Sequence, residues 1–279
     1  MEQTQQNEPE ILTIRSIPQK KVEDSCFHNL GLIGRNCEYL EQHLARVGAD
    51  AQSRQAVSDI SAATARLERT FGELMTLLDY LRAEEPPHLH PLDLCELLQQ
   101  LAAQSDMIRA QLGVTMELDY GGWTMCRVCA DRSDAELLLL HLLSNALRAC
   151  KEGDRIRIAL RRNESFWQLI MEDSGCGLPD RDEEAWLENR RSFLGGAQLG
   201  LVLCRECCRR MGWGLTIEGI PEKGTRALVT IPIGDEALPE ESTVELHGSG
   251  TEWDQQQYRL RAMLVQEMRT MPERGDPDE

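Results

Sequence analysis

In the first third of the chain the apolar positions alternate at spacings of four and three. Cys26, Leu30, Ile33, Cys37, Leu40, Leu44 and Val47 form one such series. This is the seam of a helix that packs on a like helix, and it predicts a helix from about Lys21 to Val47. Gly48-Ala49-Asp50 interrupts it. Ile60, Thr64, Leu67, Phe71, Leu74, Leu78 and Leu81 then repeat the pattern, which stops before Glu85-Pro86-Pro87. Two long amphipathic helices with a short turn predict an antiparallel hairpin. One hairpin buries one stripe, so a second copy is expected to complete a homodimeric four-helix bundle through residues 20–85.

After Pro86, Pro87 and Pro91 the pattern changes. A helical run over Leu92–Leu112 is followed by short strand-like runs at Val114–Leu118 and Thr124–Cys129. A helix over Ser133–Cys150, strands at Arg155–Arg161 and Trp167–Glu172, and a helix over Leu199–Met211 come next. Strands at Gly214–Glu218 and Thr225–Ile231 close the series. This mixture predicts an α+β two-layer sandwich over residues 88–234, with a mixed sheet on one side and helices on the other. Residues 1–19 read as a flexible arm. Residues 235–279 read as an acidic tail, with a helix expected over Gln255–Met271.

Composition narrows the function. The chain has 279 residues, 41% of them apolar, and a net charge of −17. Such acidity argues against nucleic-acid binding, which needs a basic face. No apolar run reaches the roughly 18–20 residues of a membrane span, and the polar, acidic start does not read as a secretory leader. A cytoplasmic protein with reduced thiols is therefore expected. Cys126-x-x-Cys129 and Cys204-x-x-Cys207-Cys208 lack a second ligand pair at metal-finger spacing, so small core residues are the better reading of both.

Four segments carry chemistry. The helix LLLLHLLSNALRA, residues 137–149, places Asn145 among inward apolar positions, where its amide oxygen suits Mg²⁺. Arg148 follows on an adjoining face, within reach of a phosphate. DSGCGLP, residues 173–179, ends a strand with Asp173 and turns at Gly175 and Gly177, both expected to take positive φ. A carboxylate held there suits an exocyclic amine such as that of adenine. GGAQLGL, residues 195–201, puts Gly195, Gly196 and Gly200 around a helix start, where free N–H groups favour anions. KGTRALVTIP, residues 223–232, starts a strand with Thr225, suited to a bond near the base or to the turn itself. Each segment alone is ordinary. The order and separation of all four predict a nucleotide site.

These segments resemble the asparagine box, the glycine boxes and the closing strand of the ATPase superfamily of sensor histidine kinases, Hsp90, DNA gyrase and MutL. The hairpin ahead of them resembles the dimerisation and phosphotransfer region of histidine kinases in particular. The resemblance implies ATP and Mg²⁺ as cofactors and phosphoryl transfer to a histidine. It also implies a response regulator receiver domain as partner. With no sensor domain recognisable, the signal is expected from an unidentified sensor or signalling partner, from redox chemistry at a cysteine, or from the C-terminal segment.

The resemblance places the acceptor near the start of the first helix, where His28 falls on the face opposite the seam. His43, His88 and His90 are poorer placed. The family's acceptor is followed by Glu or Asp, but here Asn29 follows, so Asp24, one turn earlier on the same face, is the substitute base. Gln198 stands where the family has glycine, and His141 where many members have a second asparagine. Arg190 and Arg191 lie in the short segment between the glycine boxes. The alternatives are a pseudokinase acting as a dimeric nucleotide-binding scaffold or phosphotransfer adaptor, and, ranked last, a serine kinase of the same superfamily.

Overall fold

The computed structural model describes residues 19–82, 86–177, 199–220 and 224–233. The expected arm, the acidic tail and the segment holding Gly195, Gly196, Gln198, Arg190 and Arg191 lie outside these residues. The chain divides into two compact units, the second beginning at Ala65.

Helix α1 runs Gln19–Val47 and α2 runs Ala51–Arg82. Gly48 ends α1 with φ +65°, the left-handed position that closes many helices. The Ala49 N–H donates to the Leu44 carbonyl at 3.0 Å. Asp50 starts α2: its carboxylate accepts from the Ser53 N–H at 2.8 Å and the Ser53 hydroxyl at 2.7 Å. The cap starts α2 nine residues ahead of Ile60, the first apolar position of the predicted pattern.

The predicted seam divides in two. Cys37 is buried, and Cys26, Leu30 and Leu44 are half-buried. Ile33, Leu40 and Val47 are exposed, as are Ile60, Leu67, Leu74 and Leu81. Each exposed set has a seven-residue spacing.

In the second unit, β1 (His90–Asp93) pairs antiparallel with β3 (Arg127–Ala130). This pairing claims residues that the pattern assigned to a helix. Helix α3 therefore runs Leu94–Leu112, with the Asp93 carboxylate capping it at the Cys95 N–H. The main sheet has five strands: β2 (Thr115–Asp119), β4 (Arg155–Arg162), β5 (Phe166–Asp173), β6 (Gly214–Ile220) and β7 (Gly224–Pro232). Their order is β2-β4-β5-β7-β6. Only β2 and β4 are parallel. Helix α4 runs Arg132–Ala149, and α5 runs Leu199–Met211.

Alternation along the strands decides which side chains face the helices. On β5, Trp167, Leu169, Met171 and Asp173 are buried while their neighbours are partly exposed. On β4 the buried set includes Ile156, Ile158 and Leu160; on β7 it includes Ala227, Val229 and Ile231. The core closes with Leu138, Leu139, Leu143 and Leu147 of α4 and with Cys204, Cys207 and Cys208 of α5. The opposite sheet face carries ion pairs, among them Arg226 with Glu172 and Glu218, and Arg157 and Arg161 with Asp119. No helix among the described residues is long and apolar enough to cross a membrane.

Candidate nucleotide site

Asp173 is the last inward position of β5, so the strand's own period delivers a carboxylate to the core edge. It is 7% exposed. Its Oδ1 accepts from the Gly175 N–H at 3.0 Å and the Thr225 N–H at 3.3 Å. Burial pushes the carboxyl above its ordinary value, and these bonds partly oppose the shift.

Glycines make the approach of these strands feasible. Gly224 has φ +102°, and a Cβ there would fall 2.0 Å from the Asp173 carbonyl oxygen and 2.7 Å from Oδ1. Gly177 takes φ +71° against the Gly224 backbone. Gly175 corrects the sequence expectation: it has no positive φ, and its requirement is space. A Cβ on it would fall 2.2 Å from the Ala149 carbonyl oxygen. That oxygen accepts from the Cys176 N–H at 3.0 Å. The turn is thereby tied to the last residue of α4.

Asn145 stands on the last turn of α4 and is half-buried. Arg148, also half-buried, donates from Nε to the Ser144 hydroxyl at 3.4 Å. The tie between Ala149 and Cys176 therefore places the Asn145 helix end at the Asp173 turn. Thr225 joins the same place through its N–H. Gly200 lies inside the first turn of α5 and is buried. A Cβ there would meet His141 Nδ1 at 3.2 Å, so this glycine serves helix approach. Gly196 lies outside the described residues. His28 and Asp24 are both exposed, four residues apart on α1 in the first unit.

Sequence reasoning missed a polar set on the second half of α2. Tyr80 donates to the buried Asp134, which also accepts from Arg210, and Glu73 lies beside His141. The available signal was the seven-residue separation of Glu73 and Tyr80 on a helix otherwise read for its apolar stripe. Cys204, Cys207 and Cys208 are core residues, and burial pushes the last two thiols up to about 12. Cys126 is buried and Cys129 exposed.

An amide oxygen on Asn145 fits Mg²⁺, which keeps waters and substrate phosphates as its other ligands. Among the described residues no group of three His, Cys, Asp or Glu side chains forms a metal cage.

Residues 130–235 match the family model of histidine kinase-, DNA gyrase B- and HSP90-like ATPases. The alginate biosynthesis sensor protein KinB of Pseudomonas aeruginosa is 28% identical over 194 residues, covering 67% of this chain and 32% of KinB. The chain spans about a third or less of the length of the first curated relatives it matches. Full-length ShkA in complex with AMPPNP superposes with a TM-score of 0.57 at 18% identity, covering 79% of this chain and 46% of ShkA. Histidine kinase ThkA in complex with response regulator protein TrrA gives 0.53 at 20% identity, covering 76% and 60% respectively. At these identities the two structures speak for fold.

Proposed function

From the premise that this chain is a histidine kinase-like protein, we propose that it binds Mg-ATP and transfers the γ-phosphoryl group to His28. The observation that carries the reading is Asp173, a carboxylate set at the core edge by strand alternation and held by two backbone N–H groups. In this reading Asp173 accepts from the adenine amine, and Thr225 keeps the carboxylate oriented. The main chain around Gly175 and Gly177 passes close to the base. Gly196 and Gly200 belong to the segment and helix start that seat the phosphates. Asn145 supplies an oxygen to Mg²⁺, and Arg148 pairs with a phosphate oxygen. Mg²⁺, when bound, neutralises charge on the phosphates.

An imidazole nitrogen of His28 forms the new P–N bond while the bond from the γ-phosphorus to the bridging oxygen breaks and ADP leaves. The imidazole proton goes to Asp24, because Asn29 cannot accept it. His28 is exposed, as an acceptor that must meet a second protein has to be. The phosphoryl group then passes to an aspartate of a response regulator receiver domain. The protein works in the cytoplasm as a homodimer through residues 20–85, with an unidentified sensor or signalling partner. The exposed seven-residue stripes of α1 and α2 support the dimer.

The second reading is a pseudokinase scaffold, which Asn29 beside His28 favours. Incubation with γ-labelled ATP and Mg²⁺, beside His28→Ala, separates the two. Acid-labile label lost in the variant supports the kinase. ATP binding without label leaves the scaffold.

A further inference from the structure

The second half of α2, from Ala65 onward, belongs to the ATPase unit. It is seated there at two places seven residues apart. At the first, the Tyr80 hydroxyl donates to Asp134 Oδ1 at 2.6 Å, and Arg210 Nε donates to Oδ2 at 2.9 Å. The Arg210 guanidinium also lies 4.6 Å from the centre of the Tyr80 ring. At the second, Glu73 Oε1 lies 3.8 Å from His141 Nδ1 and accepts from Arg69 Nε at 2.8 Å. Glu73 is 8% exposed and His141 4%.

The second place is expensive. The Glu73 carboxylate is buried and the Arg69 guanidinium half-buried, and such a pair is commonly no more stabilising than apolar residues of the same volume. They do fix geometry, because polar groups in a low-dielectric interior lose heavily when displaced. They lie against the His141 imidazole, which sits on α4 and meets the start of α5, the two elements of the candidate site. His141 precedes Asn145 by one turn on the same face of α4. It also packs against the first turn of α5 at Gly200, where Glu73 Oε1 and Arg69 Nη2 would lie 3.6 and 3.7 Å from a Cβ. With only a hydrogen at Gly200, no side chain cushions that contact. A displacement of Glu73 therefore passes to the helix start that follows the second glycine box.

We propose that Glu73 is a positioning residue for the nucleotide site: through His141 it couples nucleotide binding at Asn145 and α5 to the seating of α2. The proposal rests on the nucleotide-binding reading above. Coupling of this kind is reciprocal, so it has two readouts. Glu73→Gln keeps the size of the side chain and removes its charge. In the full chain it is expected to weaken Mg–AMPPNP binding, measured by titration calorimetry, by roughly fivefold or more. In the other direction, saturating Mg–AMPPNP slows amide hydrogen exchange over residues 69–82 in the wild type, and this protection is lost in Glu73→Gln. On a His141→Asn background, Glu73→Gln costs nothing further, because its effect runs through the imidazole. If Glu73→Gln does not fold, His141→Asn alone serves, and nucleotide then gives no protection over residues 69–82. Wild-type affinity in Glu73→Gln, or equal losses on both backgrounds, overturns the coupling and leaves nucleotide binding standing. A wild type that binds no Mg–AMPPNP overturns both.

Discussion

Gly224 presses on Asp173 so closely that a Cβ at residue 224 would fall 2.0 Å from the Asp173 carbonyl oxygen. Its φ of +102° is equally closed to other residues. Gly224→Ala must push β7 away from the end of β5. It is expected to cost about 2 kcal/mol or more, the range of strained backbone and overpacked cores. Urea denaturation measures the loss, and nucleotide affinity should fall with it. Wild-type stability in this variant would mean that β5 and β7 do not meet as described.

Asp173 also predicts a pH effect. Burial raises its folded pKa, so the folded state is favoured while the carboxyl is protonated. That contribution is complete below the unfolded value and is lost as pH rises through the raised folded value. Asp173→Asn lacks the titration. The stability of the variant relative to wild type should therefore grow as pH rises from about 4 toward neutrality, while its nucleotide affinity drops. Paired urea midpoints across that range test it; a difference that shrinks with rising pH contradicts the assignment.

Tyr80→Phe keeps the ring under Arg210 and removes one bond to a buried carboxylate. Asp134 retains Arg210, so the loss should be moderate, about 1–2 kcal/mol. Thermal melts of the full chain measure it. A neutral substitution would show that the seat of α2 does not depend on this hydroxyl.

The exposed stripes predict association. Ile33, Leu40, Leu67 and Leu74 present branched apolar side chains at seven-residue spacing. Sedimentation of the wild type should give a dimer, and Leu40→Glu combined with Leu67→Glu a monomer that still binds nucleotide. A monomeric wild type would refute the bundle.

The proton-transfer assignment turns on a swap. Asp24→Asn is expected to slow His28 labelling by about two orders of magnitude, the usual weight of a general base. Adding Asn29→Glu should restore much of the rate, since it returns a carboxylate beside the imidazole. Labelling that ignores both changes leaves Asp24 without a role.

The helices and most strands were legible because their apolar periods are long and their ends are marked. Gly48 and Asp50 bracket the first turn, and the apolar run before Asp173 marks the strand that it ends. Strand β1 was illegible: His90–Asp93 is too short to show a period, and its partner Arg127–Ala130 lies beyond α3 and β2. The role of Gly175 was illegible for another reason. Its constraint is a carbonyl of α4, distant in sequence, and no local pattern reports it. Glu73 and Tyr80 were overlooked because a reading by apolar stripes assigns polar side chains to solvent.

The contacts that shape the turn at Asp173 are largely main chain to main chain: Gly175 and Cys176 on Ala149, Gly177 on Gly224, and Gly224 on Asp173. The side chain of Cys176 takes no part and is exposed. Position 176 is therefore open to replacement without reshaping the turn. With Cys26 and Cys129 changed to serine, a thiol-reactive dye at Cys176 becomes an optical reporter at the rim of the site.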